Sequence, residues 1–389
     1  MFSSRTNWHP EHNRLTGLLE LRRKNNKPIY DLTVSNPTES GIQYPEHEFL
    51  SALAQHQSLT YQPNPRGLYS ARDSIAQNYR VKNITVDPSD IFLTASTSEA
   101  YSLIIKVLCN GGEHILVPQP SYPLFEYLAQ INDAGLQHYH LFYDHGWNID
   151  IDSIREAITP STRAITIVNP HNPTGMFIKK AEYQQIQELA RQHQLSLIVD
   201  EVFIDYAFKD DENRYGSTPR ETDILTFTLN GISKTIGLPQ MKLGWIIVSG
   251  EQTIVTGAIK RLEILCDTFL SVNTPVQIAL PKFFEFGKSV QRQIFERITS
   301  NYGFAKEVVQ NSPCTLLPAE GGWYATILVP KTMSDEEWAI ELLNTCGVYL
   351  FPGYFFDFEV DGRLVVSLLT QPEIFAPAVN ELVRHVSMR

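Results

Sequence analysis

The sequence predicts an α/β fold: a mostly parallel, seven-stranded-type sheet sandwiched by helices, with a smaller α+β domain beside it. From about residue 90, short runs rich in β-branched residues alternate with amphipathic helical stretches. That alternation is the pattern of a parallel sheet covered on both faces. The runs end in unusually polar residues, and after residue 250 the alternation gives way to a long helical stretch and then to shorter strands.

The elements follow in order. IFLTAS (91–96) reads as a strand and precedes SEAYSLIIKVL, whose apolar spacing suits a helix. HILVPQP (114–120) precedes SYPLFEYLAQIN, and AITIVNP (164–170) precedes the amphipathic AEYQQIQELARQH. LSLIVDE (195–201), ILTFTLN (224–230) and KLGWIIVSG (242–250) continue the series. Residues 251 to 310 read as one long helical stretch, followed by strands in GGWYATILV, VYLFPG and GRLVVSLL. The irregular, Pro-rich first forty-odd residues are expected to pack on this appendage. The expected division is a large domain at 45–265 and a small domain from 1–44 and 266–389.

At 389 residues the chain is long enough for two such units. Its formal net charge of -11 opposes a nucleic-acid surface, which needs clustered Lys and Arg. No apolar run approaches the roughly 20 residues of a membrane span. The start, MFSSRTNWHPEHNR, has no apolar core and predicts no signal peptide. Cys109, Cys266, Cys314 and Cys346 are scattered, as free thiols in a reducing compartment are. The expected class is a cytoplasmic globular protein without nucleic-acid or membrane partners.

In open parallel sheets, ligands collect at the carboxyl ends of the strands. Here those ends carry Ser96-Thr97-Ser98, Pro120-Ser121-Tyr122, the stretch Asn169 to Gly175, Asp200-Glu201, and Ser233-Lys234. Asp200 ends a run of Leu, Ile and Val, where a strand reaching solvent or a helix cap would also place a carboxylate. A nucleotide fingerprint is missing: no G-x-G-x-x-G follows a strand, and Lys282 stands where a P-loop ending at Gly287-Lys288-Ser289 needs its first Gly. His138 and His140 share a strand face without a nearby carboxylate or Cys, which is a poor metal site. The parts suit a phosphorylated, aromatic, cationic cofactor instead. Hydroxyls at a helix start hold phosphate, Tyr122 offers a ring face, Asn172 an amide, Asp200 a partner for a protonated ring nitrogen, and Lys234 an amine for a Schiff base.

The chain resembles the fold-type I pyridoxal-phosphate enzymes, and within them the class I/II aminotransferases. The resemblance is carried by YQPNPRGLYSARDSIAQNY (61–79), TASTSEAYSLI (94–104), PQPSYPLFEYLA (118–129), NPHNPTG (169–175), DEVFIDY (200–206), SKTIGLPQMKLGW (233–245) and GGWYATI (321–327). It implies pyridoxal 5'-phosphate as cofactor, a small-molecule amino donor and an oxo acceptor as substrates, and a homodimer with shared sites. It implies Lys234 as the Schiff-base and proton-shuttling residue, Asp200 on the ring nitrogen, Asn172 on the ring hydroxyl and Tyr122 stacked on the ring. Ser96, Thr97, Ser98, Ser233 and Lys242 would serve the phosphate side, and Tyr61 would reach the phosphate of the neighbouring subunit. Glu201 is expected to be structural.

Four positions depart from the family pattern. Phe203 replaces a Tyr whose phenol serves the ring oxygen, and Gly231 replaces a phosphate-binding Ser. Lys242 replaces an Arg, a point charge in place of a bidentate fork. Matching VVSLL to the last-strand motif puts Val365 where the α-carboxylate Arg usually stands. Either Arg363, two residues earlier on the same strand face, replaces that anchor, or the second substrate lacks an α-carboxylate. The second reading is preferred, because a two-residue slip moves Ser367 and the apolar pattern out of register. The expected activity is transamination through Lys234. A decarboxylase or C–S lyase on the same fold is the alternative, and a catalytically inactive regulator the more distant one.

Overall fold

The computed structural model of the protein describes residues 2–8, 13–218 and 222–389. The N-terminal segment supplies α1 (Arg14–Lys24), the short strand β1 (Tyr30–Asp31), α2 (Glu46–Leu53) and α3 (Tyr69–Val81). The central region begins with β2 (Ile91–Thr94), α4 (Thr97–Leu108), β3 (His114–Gln119), α5 (Leu124–Ile131), β4 (Gly135–Tyr143) and β5 (Trp147–Ile149). It continues through α6 (Ile151–Ala157), β6 (Thr162–Val168), α7 (Lys180–His193), β7 (Ser196–Asp200), β8 (Thr226–Gly231), the single turn α8 (Ile232–Thr235) and β9 (Gly244–Ser249).

These eight strands form one sheet in the order β2-β9-β8-β7-β6-β3-β4-β5. β4, β3, β6, β7 and β8 run parallel, while β9 runs antiparallel between β8 and β2. The sheet therefore has one strand more than the seven-stranded type read from the sequence. The extra strand is β5, which turns back on β4 with Leu141 opposite Ile149. His145, at φ +52, makes the reversal, and the hairpin buries Trp147 and Ile149.

The β-branched runs are buried on both faces. Along β7 successive side chains alternate: Ile198 packs with Phe227, Ile104 and Leu262, under α4 and the helix that follows β9, whereas Leu197 and Val199 pack with Ile186 and Leu189 under α7. Each such side chain contributes about 1.5–3 kcal/mol. This continuous burial is why the runs read as apolar rather than alternating.

The long helical stretch is two helices, α9 (Gln252–Phe269) and α10 (Thr274–Val308). Leu270 adopts φ +47 and ends the first, and the Asn273 side chain caps the second by accepting from the Val276 N–H. The remaining elements are β10 (Thr315–Leu316), β11 (Tyr324–Leu328), α11 (Asp335–Cys346), β12 (Val348–Tyr349), β13 (Phe351–Pro352), β14 (Arg363–Ser367) and α12 (Pro372–Ser387). VYLFPG, expected as one strand, is two: β13 joins the antiparallel sheet β10-β11-β14-β13, while β12 pairs parallel with β1. The N-terminal segment is thus stitched to the C-terminal part. Leu32 donates its N–H to the Tyr349 carbonyl at 2.8 Å, and the Ser367 hydroxyl donates to the Val34 carbonyl at 2.6 Å. These bonds carry the chain directly into Ser35, which reaches the site.

Candidate active site

β2, β3, β6, β7 and β8 point the same way, so their carboxyl ends meet at one edge of the sheet. A cavity of about 300 Å³ opens there. It is lined by Ser96, Thr97 and Ser98 after β2, Tyr122 after β3, Asn172 after β6, Asp200 and Phe203 at the end of β7, and Ser233, Lys234 and Lys242 between β8 and β9. Ser35 and Tyr324 complete the wall.

Asp200 has not reached solvent. It is 8% exposed, still in the sheet between Val168 and Leu229, and its carbonyl accepts from the Asn169 N–H at 2.8 Å. Oδ1 accepts from the Val202 N–H and Oδ2 from the Tyr101 hydroxyl, each at 3.1 Å. Burial pushes its carboxyl up to about 6, against these two hydrogen bonds and the Lys234 charge, which favour ionisation. Glu201, beside it, turns away from the cavity. Its carboxylate accepts from the Ser217 hydroxyl and from both the N–H and the hydroxyl of Thr218, tying down the segment that returns to β8.

Lys234 sits in the single turn α8, anchored by the Tyr206 hydroxyl, which donates to the Lys234 carbonyl at 2.6 Å. Its Nζ lies 5.0 Å from the Trp323 ring centroid and 5.9 Å from that of Phe203. Those apolar walls push the amine down to about 8, with Asp200 opposing. Tyr206 therefore does not supply the hydroxyl missing at Phe203, which is packed edge-on against Trp323 and Tyr324. Gly231, in place of a serine, has a local reason: a Cβ would stand 3.1 Å from the Leu243 carbonyl oxygen where β8 and β9 converge.

At the start of α4 the Ser96 side chain is the N-cap. It accepts from the Glu99 N–H at 3.1 Å while the Glu99 carboxylate accepts from the Ala95 N–H. That leaves the hydroxyls of Thr97 and Ser98, with the positive end of the helix, on the cavity side. The Asn172 side-chain oxygen is buried without a partner. Tyr122 is 41% exposed and meets Phe125 edge-on.

Two positions lie apart. Tyr61 is 75% exposed and lines a separate crevice with Pro63, Leu68 and Phe269. Val365 is fully buried in β14, opposite Thr326, and the register of β11 and β14 runs without a slip from Leu328–Arg363 to Tyr324–Ser367. Arg363 stands over the Phe358 ring, donates to the Val360 carbonyl, and is not among the residues that line the cavity.

Sequence reasoning passed over Ser35, Tyr101, Trp323 and Tyr324. Tyr101 had a usable signal, since it follows Thr97 by four residues and so shares its helix face. Trp323 and Tyr324 lie in the GGWYATI motif that helped carry the resemblance, but nothing local to that segment pointed to a place beside Lys234. Among the described residues no helix is long and apolar enough to cross a membrane, and no cluster of His, Cys, Asp and Glu is suited to a metal ion.

The sequence matches the family described as aminotransferase class I and II over residues 27–376. It is 34% identical over 263 residues to glutamate-pyruvate aminotransferase AlaA of Escherichia coli strain K12, a match covering 67% of this chain and 64% of that relative's length. The Haemophilus influenzae AlaA is 29% identical over 380 residues, covering 95% of this chain and 93% of that one. A crystal structure of an Escherichia coli aminotransferase superposes with a TM-score of 0.87 at 27% identity, covering 100% and 98% of the two chains. The alanine aminotransferase of Pyrococcus furiosus shares the fold at a TM-score of 0.89 and 22% identity, covering 100% of both chains. With the match running through every strand end that builds the cavity, this chain belongs to the class I and II aminotransferase family.

Proposed function

We propose that the protein is a pyridoxal-phosphate-dependent aminotransferase that moves an amino group from a small-molecule donor to an oxo acceptor. The observation that carries this reading is the pairing, in one cavity, of a buried carboxylate at Asp200 with a low-pKa amine at Lys234. The side chains fit the cofactor. A helix N-terminus with the Thr97 and Ser98 hydroxyls and the Lys242 cation suits its phosphate, Asp200 its ring nitrogen, the Asn172 amide, whose oxygen has no partner, its ring hydroxyl, and Tyr122 its ring face. When bound, pyridoxal 5'-phosphate supplies an aldehyde that takes up amino nitrogen and a ring that accepts an electron pair.

The protein's part is positioning and proton transfer. Lys234 would provide the amine that holds the cofactor's aldehyde, and its Nζ, with a pKa near working pH, would move the proton at the substrate Cα. Asp200, kept ionised at neutral pH, would favour a protonated ring nitrogen. The apolar wall of Phe203 and Trp323 limits water around the amine.

The substrate reading follows from the charges. Among the described residues the cations lining the cavity are Lys234 and Lys242, and both are committed to the cofactor. A donor carboxylate entering this partly dry site would rest on neutral hydroxyls, and leaving it unpaired costs several kcal/mol. The preferred donor therefore lacks an α-carboxylate, or carries it on a larger scaffold. We place the chain as a cytoplasmic homodimer, in which the exposed Tyr61 serves the neighbouring subunit, with 45–265 as the cofactor-binding domain and 1–44 with 266–389 as the small one.

Borohydride reduction of the cofactor-loaded protein, followed by peptide mapping, is expected to place a pyridoxyl group on Lys234. A group on another lysine refutes the assignment. A donor screen without acceptor, read by cofactor absorbance, is expected to give stoichiometric conversion to the amine form, which separates transamination from decarboxylation or C–S cleavage. Simple amines or complex donors should outperform alanine and glutamate. Efficient turnover of common amino acids that Arg363→Ala abolishes would make Arg363 the anchor and reverse the substrate reading.

A further inference from the structure

We propose that Tyr101 is the positioning residue for the Asp200 carboxylate, fixing its orientation and keeping it ionised toward the cavity. The inference rests on the reading of Asp200 as partner of the cofactor's ring nitrogen. Tyr101 stands on α4, is 4% exposed, and is not among the residues that line the cavity. Its hydroxyl donates to Asp200 Oδ2 at 3.1 Å, and the Val202 N–H donates to Oδ1 at 3.1 Å. One donor on each oxygen fixes the carboxylate plane and leaves further acceptor capacity on both. The Tyr101 ring is itself held edge-on by Phe125 at 5.1 Å, and Phe125 lines the cavity with Tyr122.

Burial, and then the Asp200 charge, push the Tyr101 phenol well above its ordinary value. It therefore stays protonated and acts toward the carboxylate as a donor. The groups facing Asp200 are Tyr101 from α4, Lys234 from α8 and Tyr122 from the turn after β3, while Tyr139 from β4 faces Tyr101. Of these, Asp200 titrates near 6 and Lys234 near 8. Removing the hydroxyl leaves a buried carboxylate with one donor, and its ionisation moves toward neutral pH.

The test is the affinity of the apoprotein for pyridoxal 5'-phosphate between about pH 5 and about pH 9, read by tryptophan fluorescence, with Trp323 beside Lys234 as a reporter. The parent protein should lose affinity below about pH 6, as Asp200 protonates. Tyr101→Phe should move that limb up by about one pH unit, lowering affinity about 5-fold near pH 6, about 3-fold near pH 6.5 and by less than about two-fold near pH 8.5. Tyr101→Met, which also lacks the donor and repacks readily, should give the same shift if the first variant folds poorly. Tyr139→Phe, which removes a buried phenol bonded to the Thr166 carbonyl, should leave the profile unchanged. A Tyr101→Phe profile superimposable on the parent's overturns the proposal. So does a loss uniform across pH, which looser packing alone produces. If the parent binds no cofactor at any pH, the reading of the site falls first and takes this inference with it.

Discussion

Lys234 shows how a single side chain trades stability for chemistry. Its amine is driven down to about 8 chiefly by burial, with Asp200 a smaller opposing effect. An unfolded lysine holds its proton to about 10.4. Below pH 8 both states are protonated and the folded protein bears the full cost of the buried cation. Between about 8 and about 10.4 the folded amine has released its proton, the unfolded one has not, and stability rises with pH. Lys234→Met is therefore expected to stabilise the apoprotein at about pH 7 by about 1–3 kcal/mol, with the gap closing toward about pH 10. Urea denaturation at the two pH values checks this. A methionine variant less stable than the parent at neutral pH would mean that the Asp200 attraction outweighs burial. The raised Glu201 carboxyl, near 7, tilts stability the other way as pH rises through that value, and this slope is common to both proteins.

At the scale of elements, the site depends on how closely β11 and its approach can lie against the segment after β7. Ala207 and Gly321 pair as an isolated bridge, and the Gly322 N–H donates to the Tyr206 carbonyl at 3.0 Å. This contact holds Trp323 against Phe203 and Tyr206, at 5.4 and 5.3 Å between ring centroids. A Cβ on Gly321 would come within 2.3 Å of the Tyr206 carbonyl oxygen and 2.8 Å of the Phe177 ring, so backbone must move to admit it. Gly321→Ala is expected to destabilise by about 1–3 kcal/mol or more and to weaken cofactor binding, because it displaces a wall of the Lys234 pocket. Gly17 in α1 has open space around the same position, and Gly17→Ala should stabilise by about 0.5–1 kcal/mol. Thermal denaturation of the two variants tests the contrast. An unaffected Gly321→Ala protein would show that the two segments slide freely.

For the whole molecule, two exposed aromatic side chains from distant segments, Tyr61 and Phe269, meet in one crevice. Leu59, Tyr61, Tyr69, Ile264 and Phe269 all stand open, and Tyr61 and Phe269 line one crevice. In the proposed homodimer this crevice is where the two chains would meet. Sedimentation equilibrium is expected to give twice the chain mass, and Phe269→Asp to release monomers that bind the cofactor more weakly through loss of the partner's Tyr61. A monomeric parent with full cofactor affinity would refute the shared-site arrangement.

The order of strands and helices, the parallel class and the polar strand ends were legible in the sequence. Each is local: a β-branched run, a helical period and the residue that ends a strand carry their own signal. So were Lys234, Asp200, Asn172 and Ser98, because the motifs that hold them are contiguous. The extra strand β5 and the split of VYLFPG between two sheets were not, since short edges are decided by which partner lies within hydrogen-bonding reach. Tertiary structure alone decided that Tyr101 meets Asp200, 99 positions away, and that Trp323 walls Lys234. It likewise set Arg363 over Phe358 rather than in the cavity. Those contacts join segments far apart in the chain, and only close packing of the finished core brings their side chains together.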